Sequence, residues 1–566
     1  MPCTTILAGK CATYDGSTFI SRNDDSCSGK YVPTRWTVVQ PGEQPKEYKS
    51  VISHVTIKLP KNPMRYTAVP HAILDEGIWA ASGVNDENIA MTATETITTN
   101  ERVLGADPLV TYVPGDAEST VNTKGGVDVT VGKPGGIGEE DIVVLVLPYI
   151  HSAREGVMRL GGLLEKYGTY ESNGIAFSDK DEVWWLESIG GHHWIAKKVP
   201  DDSYVIMPNQ LGIDSFDLDD ALGKKGTVSK MSTSRNGTEP AGSKKAGSAK
   251  SAAQKTCMCS ADLREFIDDN HLNLSFGDTG AASVINPREV FGSHDEADHV
   301  YNTPRAWFMG RYLSHDSMKW DGPDADYTPV SDDIPWCAVP DRKITVEDVK
   351  YLLSSHFQGT PYDPYASYGD PSMRGAYRSI GVNRNSFLAL IQIRPYVSSD
   401  HNVIMWLASG SNTFNAFTPF YANVDKTPEY LSNTTAQVTT DNLYWSNRLI
   451  GALADAHYGK CLIHIERYQS AVMAKGHELI AKYDREFETA VRSASAVKNA
   501  AISKAIKAKN AGTERNADAD KTACALCEKA DLEIADMLKK ETSAVLGHVL
   551  GEASDGMKNA YARSDN

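Results

Sequence analysis

The chain has few cysteines, no excess of positive charge and no long apolar run. Its nine cysteines are an odd and low number for 566 residues, which predicts a reducing, cytoplasmic setting rather than a disulfide framework. The formal net charge of −16 argues against a nucleic-acid partner, because neutralising phosphates requires a basic surface. No apolar run approaches the ~18 residues of a membrane-spanning helix, and no signal-peptide pattern is present, so we expect no membrane partner.

Composition divides the chain into regions. Residues 224–255 are rich in Lys, Ser, Gly and Ala and have almost no large apolar residues, which is typical of a flexible, solvated loop. Apolar residues recur at helical spacing from Ile465 to Phe487 and again from Ile534 to Val549. We therefore predict a main body at 3–460, with the loop as an insertion, and a helical region at 461–566. This region would pack on the body or join copies into a homo-oligomer.

The body shows patterns of both strands and helices. Pro148 should split the helical pattern of residues 142–167 into two helices. Thr345, followed three residues later by an aspartate, predicts another helix start. Alternating or continuous apolar runs predict strands at 36–39, 51–59, 174–178, 182–187, 192–199, 204–207, 378–380, 387–393 and 403–408.

The first twenty-five residues combine strand patterns with reactive side chains. Runs at Thr4–Ala8 and Ser17–Ser21 are separated by a turn signal and predict a β-hairpin. Such a hairpin would fold Arg22 and Asp25 back toward Cys3. A thiol, a guanidinium and a carboxylate would then lie at one end of a sheet.

This combination suits a cysteine nucleophile that carries its own base. If residues 1 and 2 are removed, the α-amine of Cys3, which titrates near pH ~7.7–8.0, can take the thiol proton. Arg22 would favour the thiolate, and Asp25 would hold the ammonium group. Asp24 is the rival carboxylate, although alternation along a strand points it to the opposite face. The alternative is a structural cysteine buried in an N-terminal strand.

Several motifs resemble one known family. The segments CTTILAG, YDGST and SRNDDS, together with WWLESIGGHHWIAKKVPDD at residues 184–202, are similar to the bacterial dipeptidase A family. That family belongs to the cysteine N-terminal-nucleophile (Ntn) hydrolases, which are related to penicillin V acylase and bile-salt hydrolase. The resemblance extends in patches from residue 3 to about residue 425. It implies an α+β fold, a four-layer αββα sandwich, extended here by C-terminal helices.

The resemblance also implies roles for particular residues. The mature N-terminal nucleophile is carried to Cys3, and the arginine and the aspartate three residues further on are carried to Arg22 and Asp25. Asn209, in the Pro-Asn-Gln that follows a predicted strand, matches the asparagine that binds the oxyanion. Arg305 is the positional match for an arginine that completes the site, with a surface ion pair as its alternative role.

Four further residues are weaker candidates. Thr94 or Glu95, just past a predicted turn, lies where relatives contact the oxyanion or the substrate, although an ordinary hairpin explains both. His192 and His193 invite a catalytic or metal-binding hypothesis. Adjacent residues on one strand point to opposite faces, so we expect that they do not share one ligand site, although either could line a substrate cleft.

The implied function is hydrolysis of dipeptides with broad side-chain tolerance and no metal or organic cofactor. The CxxC at Cys524 and Cys527 has no second ligand pair nearby for a structural zinc. Two alternatives stay open, namely an amidase acting on non-peptide amides and a non-catalytic scaffold protein of the same fold. Pro2 would have to be removed, by a peptidase or by attack of Cys3 on the preceding carbonyl.

Overall fold

A computed structural model of the protein describes residues 3–26, 30–115, 120–121, 127–128, 132–224, 255–276, 282–505 and 517–559, without the side chains of 93–95, 120–121, 127–128, 491–505 and 517–521. The predicted leader at 1–2 and nearly all of the 224–255 insertion lie outside this part. The described strands are β1 (Thr4–Ala8), β2 (Thr18–Asp25), β3 (Thr37–Val39), β4 (Glu47–Lys49), β5 (Thr56–Lys58), β6 (Tyr66–Ala68), β7 (Ser82–Asn85), β8 (Ala90–Thr96), β9 (Thr120–Val121), β10 (Val127–Asp128), β11 (Asn173–Ser178), β12 (Val183–Ile189), β13 (His193–Lys198), β14 (Tyr204–Met207), β15 (Phe216–Asp217), β16 (Cys257–Cys259), β17 (Val284–Ile285), β18 (Cys337–Ala338), β19 (Asn385–Ile393), β20 (Val403–Ser409) and β21 (Thr418–Tyr421). The described α-helices are α1 (Glu101–Ala106), α2 (Glu139–Val146), α3 (Ala153–Tyr167), α4 (Leu218–Leu222), α5 (Leu263–Asp269), α6 (Pro287–Phe291), α7 (Asp298–Tyr301), α8 (Thr303–Leu313), α9 (Val346–Leu353), α10 (Glu429–Ser432), α11 (Leu443–Ala456), α12 (Tyr458–Ala505) and α13 (Ala517–Asp555).

The predicted N-terminal hairpin is the centre of a seven-stranded antiparallel sheet. The strand order is β18-β14-β1-β2-β19-β20-β21. In the turn between these strands, Asp15 accepts hydrogen bonds from the backbone N–H and the hydroxyl of Ser17 at 3.1 and 2.9 Å. Gly16 adopts a φ of +83°, a left-handed conformation that glycine adopts without steric strain. The resulting register places Thr5 opposite Arg22.

A second sheet of eight strands packs against the first. Its order is β16-β13-β12-β11-β8-β7-β6-β3, and β8, β11 and β12 contact β2 of the seven-stranded sheet. Buried side chains from both sheets form one hydrophobic cluster. Helices α2 and α3 contact the eight-stranded sheet, and α8, α9, α12 and α13 contact the seven-stranded sheet. The mixture of antiparallel sheets and packed helices confirms the α+β class.

Two of the predicted strands are wrong in extent or type. Only Thr56–Lys58 of the 51–59 prediction pairs as a strand, since His54 adopts a φ of +60° and the chain turns back on β4. Residues 378–380 form a loop whose Arg378 side chain is committed to an ion pair. The break near Pro148 is confirmed, because α2 ends before it and α3 begins after it.

The C-terminal helices belong to the same hydrophobic core as the sheets. Helices α12 and α13 pack on each other and both contact β21. Arg394, which directly follows β19, pairs with Asp484 of α12 at 2.6 Å, and the Tyr421 N–H donates to Asp531 of α13 at 2.8 Å. Among the described residues, no helix is both long enough and apolar enough to cross a membrane.

Helix α3 packs on the eight-stranded sheet through a glycine, which gives a matched pair of substitutions. A Cβ at Gly161 would lie 2.3 Å from the Trp194 ring, whereas a Cβ at Gly162 would meet nothing within 4 Å. We expect Gly161→Ala to lower the free energy of unfolding by ~1–3 kcal/mol through overpacking. Gly162→Ala should raise it by ~0.5–1 kcal/mol through helix propensity. Urea denaturation of both variants tests this, and equal effects would contradict the packing described.

Candidate active site

The Cys3 thiol is buried beside the Arg22 guanidinium. Cys3 directly precedes β1 and is 0% exposed. The β1–β2 register brings Arg22 next to it, and Arg22 Nη2 donates to Cys3 Sγ at 2.8 Å. A positive charge at this distance favours a thiolate over a thiol.

Two carboxylates surround the same guanidinium nitrogen. Arg22 Nη2 also donates to Asp24 at 3.0 Å and to Glu139 at 2.8 Å. Oxygen atoms of these acids and Cys3 Sγ all lie within 4.8 Å of one another. These three groups could ligate a metal, but Arg22 Nη2 lies within 3.0 Å of each and takes the place that a cation would need. Burial raises the pKa of Asp24 to about 6, despite the opposing effect of Arg22.

Glu139 is a site residue that sequence reasoning missed. It is the first residue of α2, where the helix dipole favours negative charge. Its backbone N–H donates to Glu171 at 2.8 Å. The signal available in the sequence was three consecutive acids, Glu139 to Asp141, all of which are buried. Burial raises the pKa of Glu140 and Asp141, and that of Glu171 to about 7.

Asn209 and Arg305 contact the backbone of Cys3. Asn209 Oδ1 accepts from the Cys3 backbone nitrogen at 3.2 Å, and its Nδ2 donates to the Thr96 carbonyl at 3.0 Å. Arg305 lies on α8, is 0% exposed and donates to the Cys3 carbonyl and to Asn209 Oδ1, the latter at 2.8 Å. The structure therefore brings Cys3, Arg22, Asn209 and Arg305 together.

Asn302 is a second residue that sequence reasoning missed. Its Oδ1 accepts from the Asn209 N–H at 3.0 Å and from Arg305 at 2.6 Å, and its Nδ2 donates to the Asn209 carbonyl at 3.2 Å. It precedes α8, whose Thr-Pro start is typical of a helix N-terminus. One side chain thus fixes Asn209 and Arg305 relative to each other.

Asp25 has different partners from Asp24, as alternation along β2 requires. Its carboxylate accepts from Arg378 and from Asn385. Burial alone would lower the pKa of Arg378, but the negative charge of Asp25 and its hydrogen bond to Arg378 outweigh that effect and contribute to raising the pKa. Of the two aspartates, Asp24 is the one grouped within 4.8 Å of the thiol. The role of Asp25 toward an α-amine of Cys3 stays a prediction.

Of the four weaker candidates, His192 and His193 contact Asp107, and Thr94 and Glu95 have side chains outside the described part of the structure. The Nδ1 atoms of His192 and His193 both contact the Asp107 carboxylate, at 2.8 and 2.7 Å. They share this hydrogen-bond partner because His192 lies in the turn before β13, where strand alternation does not apply. That they do not form one ligand site stays a prediction. Burial alone would raise the pKa of Asp107, but hydrogen bonds from both histidines lower it to about 2. The side chains of Thr94 and Glu95 lie outside the described part of the structure.

A guanidinium beside a thiol favours the thiolate, which is the form of cysteine that acts as a nucleophile. Comparison with known proteins gives the family. The Peptidase family C69 model matches residues 2–471, and this chain therefore belongs to peptidase family C69 and is a peptide hydrolase. The match confirms the resemblance to the dipeptidase A family.

Named relatives cover most or all of the chain. A protein named dipeptidase from Bifidobacterium longum is 51% identical over 100% of both chains. A probable dipeptidase A from Streptococcus pyogenes is 43% identical, also over 100% of both. Dipeptidase A from Lactobacillus helveticus is 40% identical over 86% of this chain and 88% of its own.

The contact between Arg22 and Cys3 predicts how the thiol reacts. Arg22→Met should move the pH profile of Cys3 alkylation by iodoacetamide upward by roughly 1–3 pH units, because the adjacent positive charge is lost. Arg22→Lys, which keeps the charge, should stay closer to the original profile. Peptide mass spectrometry measures the alkylation of each cysteine, and the exposed Cys11 is the internal control. An unchanged Cys3 profile in Arg22→Met would show that the guanidinium does not control the thiol.

Proposed function

We propose that this protein is a cysteine dipeptidase of broad side-chain specificity and that Cys3 is its N-terminal nucleophile. The observation that carries the proposal is the position of Arg22 Nη2, 2.8 Å from Cys3 Sγ. The names of the relatives that span the whole chain support dipeptides as substrates.

The proposed reaction begins after residues 1 and 2 are removed. The α-amine of Cys3 takes the thiol proton, and the sulfur attacks the scissile carbonyl. Asn209 Nδ2 and a backbone N–H donate to the oxyanion, a type of contact worth about 2.7–4 kcal/mol when one donor is removed. The amine returns its proton to the leaving amine, and a thioester is left on Cys3. Water, deprotonated by the same amine, then hydrolyses the thioester and frees the thiol.

The remaining side chains position and charge these groups. Arg22 favours the thiolate, and Asp25 holds the α-ammonium group. Arg305 donates to Asn209 Oδ1 at 2.8 Å, which makes the amide nitrogen the donor side. One N–H of that nitrogen binds the Thr96 carbonyl, and the other would bind the oxyanion. No step in this mechanism uses a metal or an organic cofactor.

The proposal extends to fold and organisation. We propose the four-layer Ntn sandwich, which the helix-sheet and sheet-sheet contacts support. We keep the division into a removed leader at 1–2, a catalytic body at 3–460 and a helical region at 461–566. Assembly into a homo-oligomer through that helical region is part of the same hypothesis.

A substitution pair tests the nucleophile and the substrate class together. Cys3→Ala should lower kcat on a panel of dipeptides by roughly 10³-fold or more, because the covalent route is lost. The matched control is Cys11→Ala, since Cys11 is an exposed thiol and its loss should leave the rate unchanged. Hydrolysis is followed by release of free amino acids.

Other outcomes would identify the alternatives. Full activity in Cys3→Ala would remove the nucleophile assignment. Activity confined to penicillin V or conjugated bile acids would indicate an Ntn amidase. A wild-type protein that starts at Cys3 and hydrolyses none of these compounds would indicate a scaffold.

A further inference from the structure

A second candidate site lies away from Cys3, between helices α9 and α12. It is a cavity of about 450 Å³, within the size range of small-molecule sites. Its lining residues come from α9, from the loops at 354–358 and 413–414, and from the first four turns of α12. None of the Cys3 contacts described above lines it.

One of the residues that line this cavity carries a buried amine. Lys350 is 8% exposed, and its Nζ donates to Ser354 Oγ and to the Asn412 carbonyl, both at 2.6 Å. Among the described residues, no carboxylate forms an ion pair with it, and burial alone accounts for the lowering of its pKa to about 7. A buried ammonium group without a counter-ion is unfavourable, and an anion entering the cavity would supply the missing charge.

The position of the amine is fixed by its neighbours. Asn412, whose carbonyl accepts from Lys350, donates through Nδ2 to Asn23 at 2.7 Å and to the Leu353 carbonyl at 3.1 Å. The hydroxyl of Thr413 donates to the Ser354 carbonyl at 3.1 Å. These contacts hold both hydrogen-bond partners of Lys350, so the amine is pre-organised for a ligand.

The rest of the lining combines apolar, polar and acidic side chains. Phe414 and Ile465 are buried wall residues, and Met473 is half-buried. Glu347 and Glu466 are exposed members of the lining. The lining thus offers a buried amine, an apolar surface and two exposed carboxylates, of which Glu347 also contacts His477 Nε2 at 2.8 Å.

We propose that this cavity binds a free amino acid with an apolar side chain. Its carboxylate would pair with Lys350, its side chain would lie on the apolar wall, and its ammonium group would face Glu347 and Glu466. The choice of an amino acid rests on the proposed function, because dipeptide hydrolysis releases free amino acids. The carboxylate contact rests on the cavity alone.

Isothermal titration calorimetry on the full-length Cys3→Ala protein tests the site without turnover. The probes are L-leucine, 4-methylpentanoate, which lacks the amine, and L-leucinamide, which lacks the carboxylate. We expect one leucine per chain at the cavity, weaker binding of 4-methylpentanoate and no binding of leucinamide there. Lys350→Met should weaken leucine binding by at least ~10-fold, because a charged hydrogen bond is lost.

Two further variants keep the test decisive. Ser470→Trp, at an exposed position of the lining, should block the cavity without changing Lys350. Lys475→Met removes an exposed lysine of α12 that pairs with Glu478 at 2.9 Å and should leave binding unchanged. Thermal denaturation verifies that each variant is folded.

The outcomes separate this proposal from the proposed function. Leucine binding that survives both Lys350→Met and Ser470→Trp, or no binding at all, would overturn the cavity site. Tighter binding of 4-methylpentanoate than of leucine would overturn the amino-acid assignment. A failure of dipeptide hydrolysis in the wild type changes none of these binding results, since they are measured on a protein without the Cys3 thiol.

Discussion

The buried guanidinium of Arg22 is the group on which the candidate active site depends. A charge with 0% exposure is stable only when it is paired, and removing one partner of a buried pair typically costs ~3–5 kcal/mol. Here one nitrogen, Nη2, contacts the Cys3 thiol and the carboxylates of Asp24 and Glu139. The two carboxylates stabilise the buried guanidinium, and the same nitrogen places its positive charge next to the sulfur of Cys3.

This constraint ties distant parts of the chain together. The thiol and the guanidinium come from one hairpin, whereas Glu139 comes from the start of α2 on the other sheet. Asn209 follows β14, the neighbour of β1, and Arg305 comes from α8. Arg22 meets Glu139 because β2 contacts β8 of the other sheet, and α2 packs on β8. The site is therefore a product of the whole body of the protein rather than of its N-terminal segment.

Local patterns were sufficient to predict the central strands. The alternation and length of the runs predicted β1 and β14 at their observed bounds and located β11, β12 and β20 to within a residue or two. Prediction failed where long-range contacts decide the outcome. Residues 378–380 look like a strand locally, but Arg378 is taken by Asp25. In the sequence, Glu139 looks like the start of a helix and Asn302 looks like a loop residue. Only the packing of α2 and α8 brings these two residues to the site.

The proposed mechanism requires the α-amine of Cys3 as its base, so the N-terminal peptide of the purified, active protein is the decisive observation. Peptide mass spectrometry measures where the chain begins. We expect a mature chain that starts at Cys3, whose nitrogen lies 3.2 Å from Asn209 Oδ1. A fully active protein that still carries Met1 or Pro2 would contradict it, because that nitrogen would then be part of a peptide bond and could not act as a base.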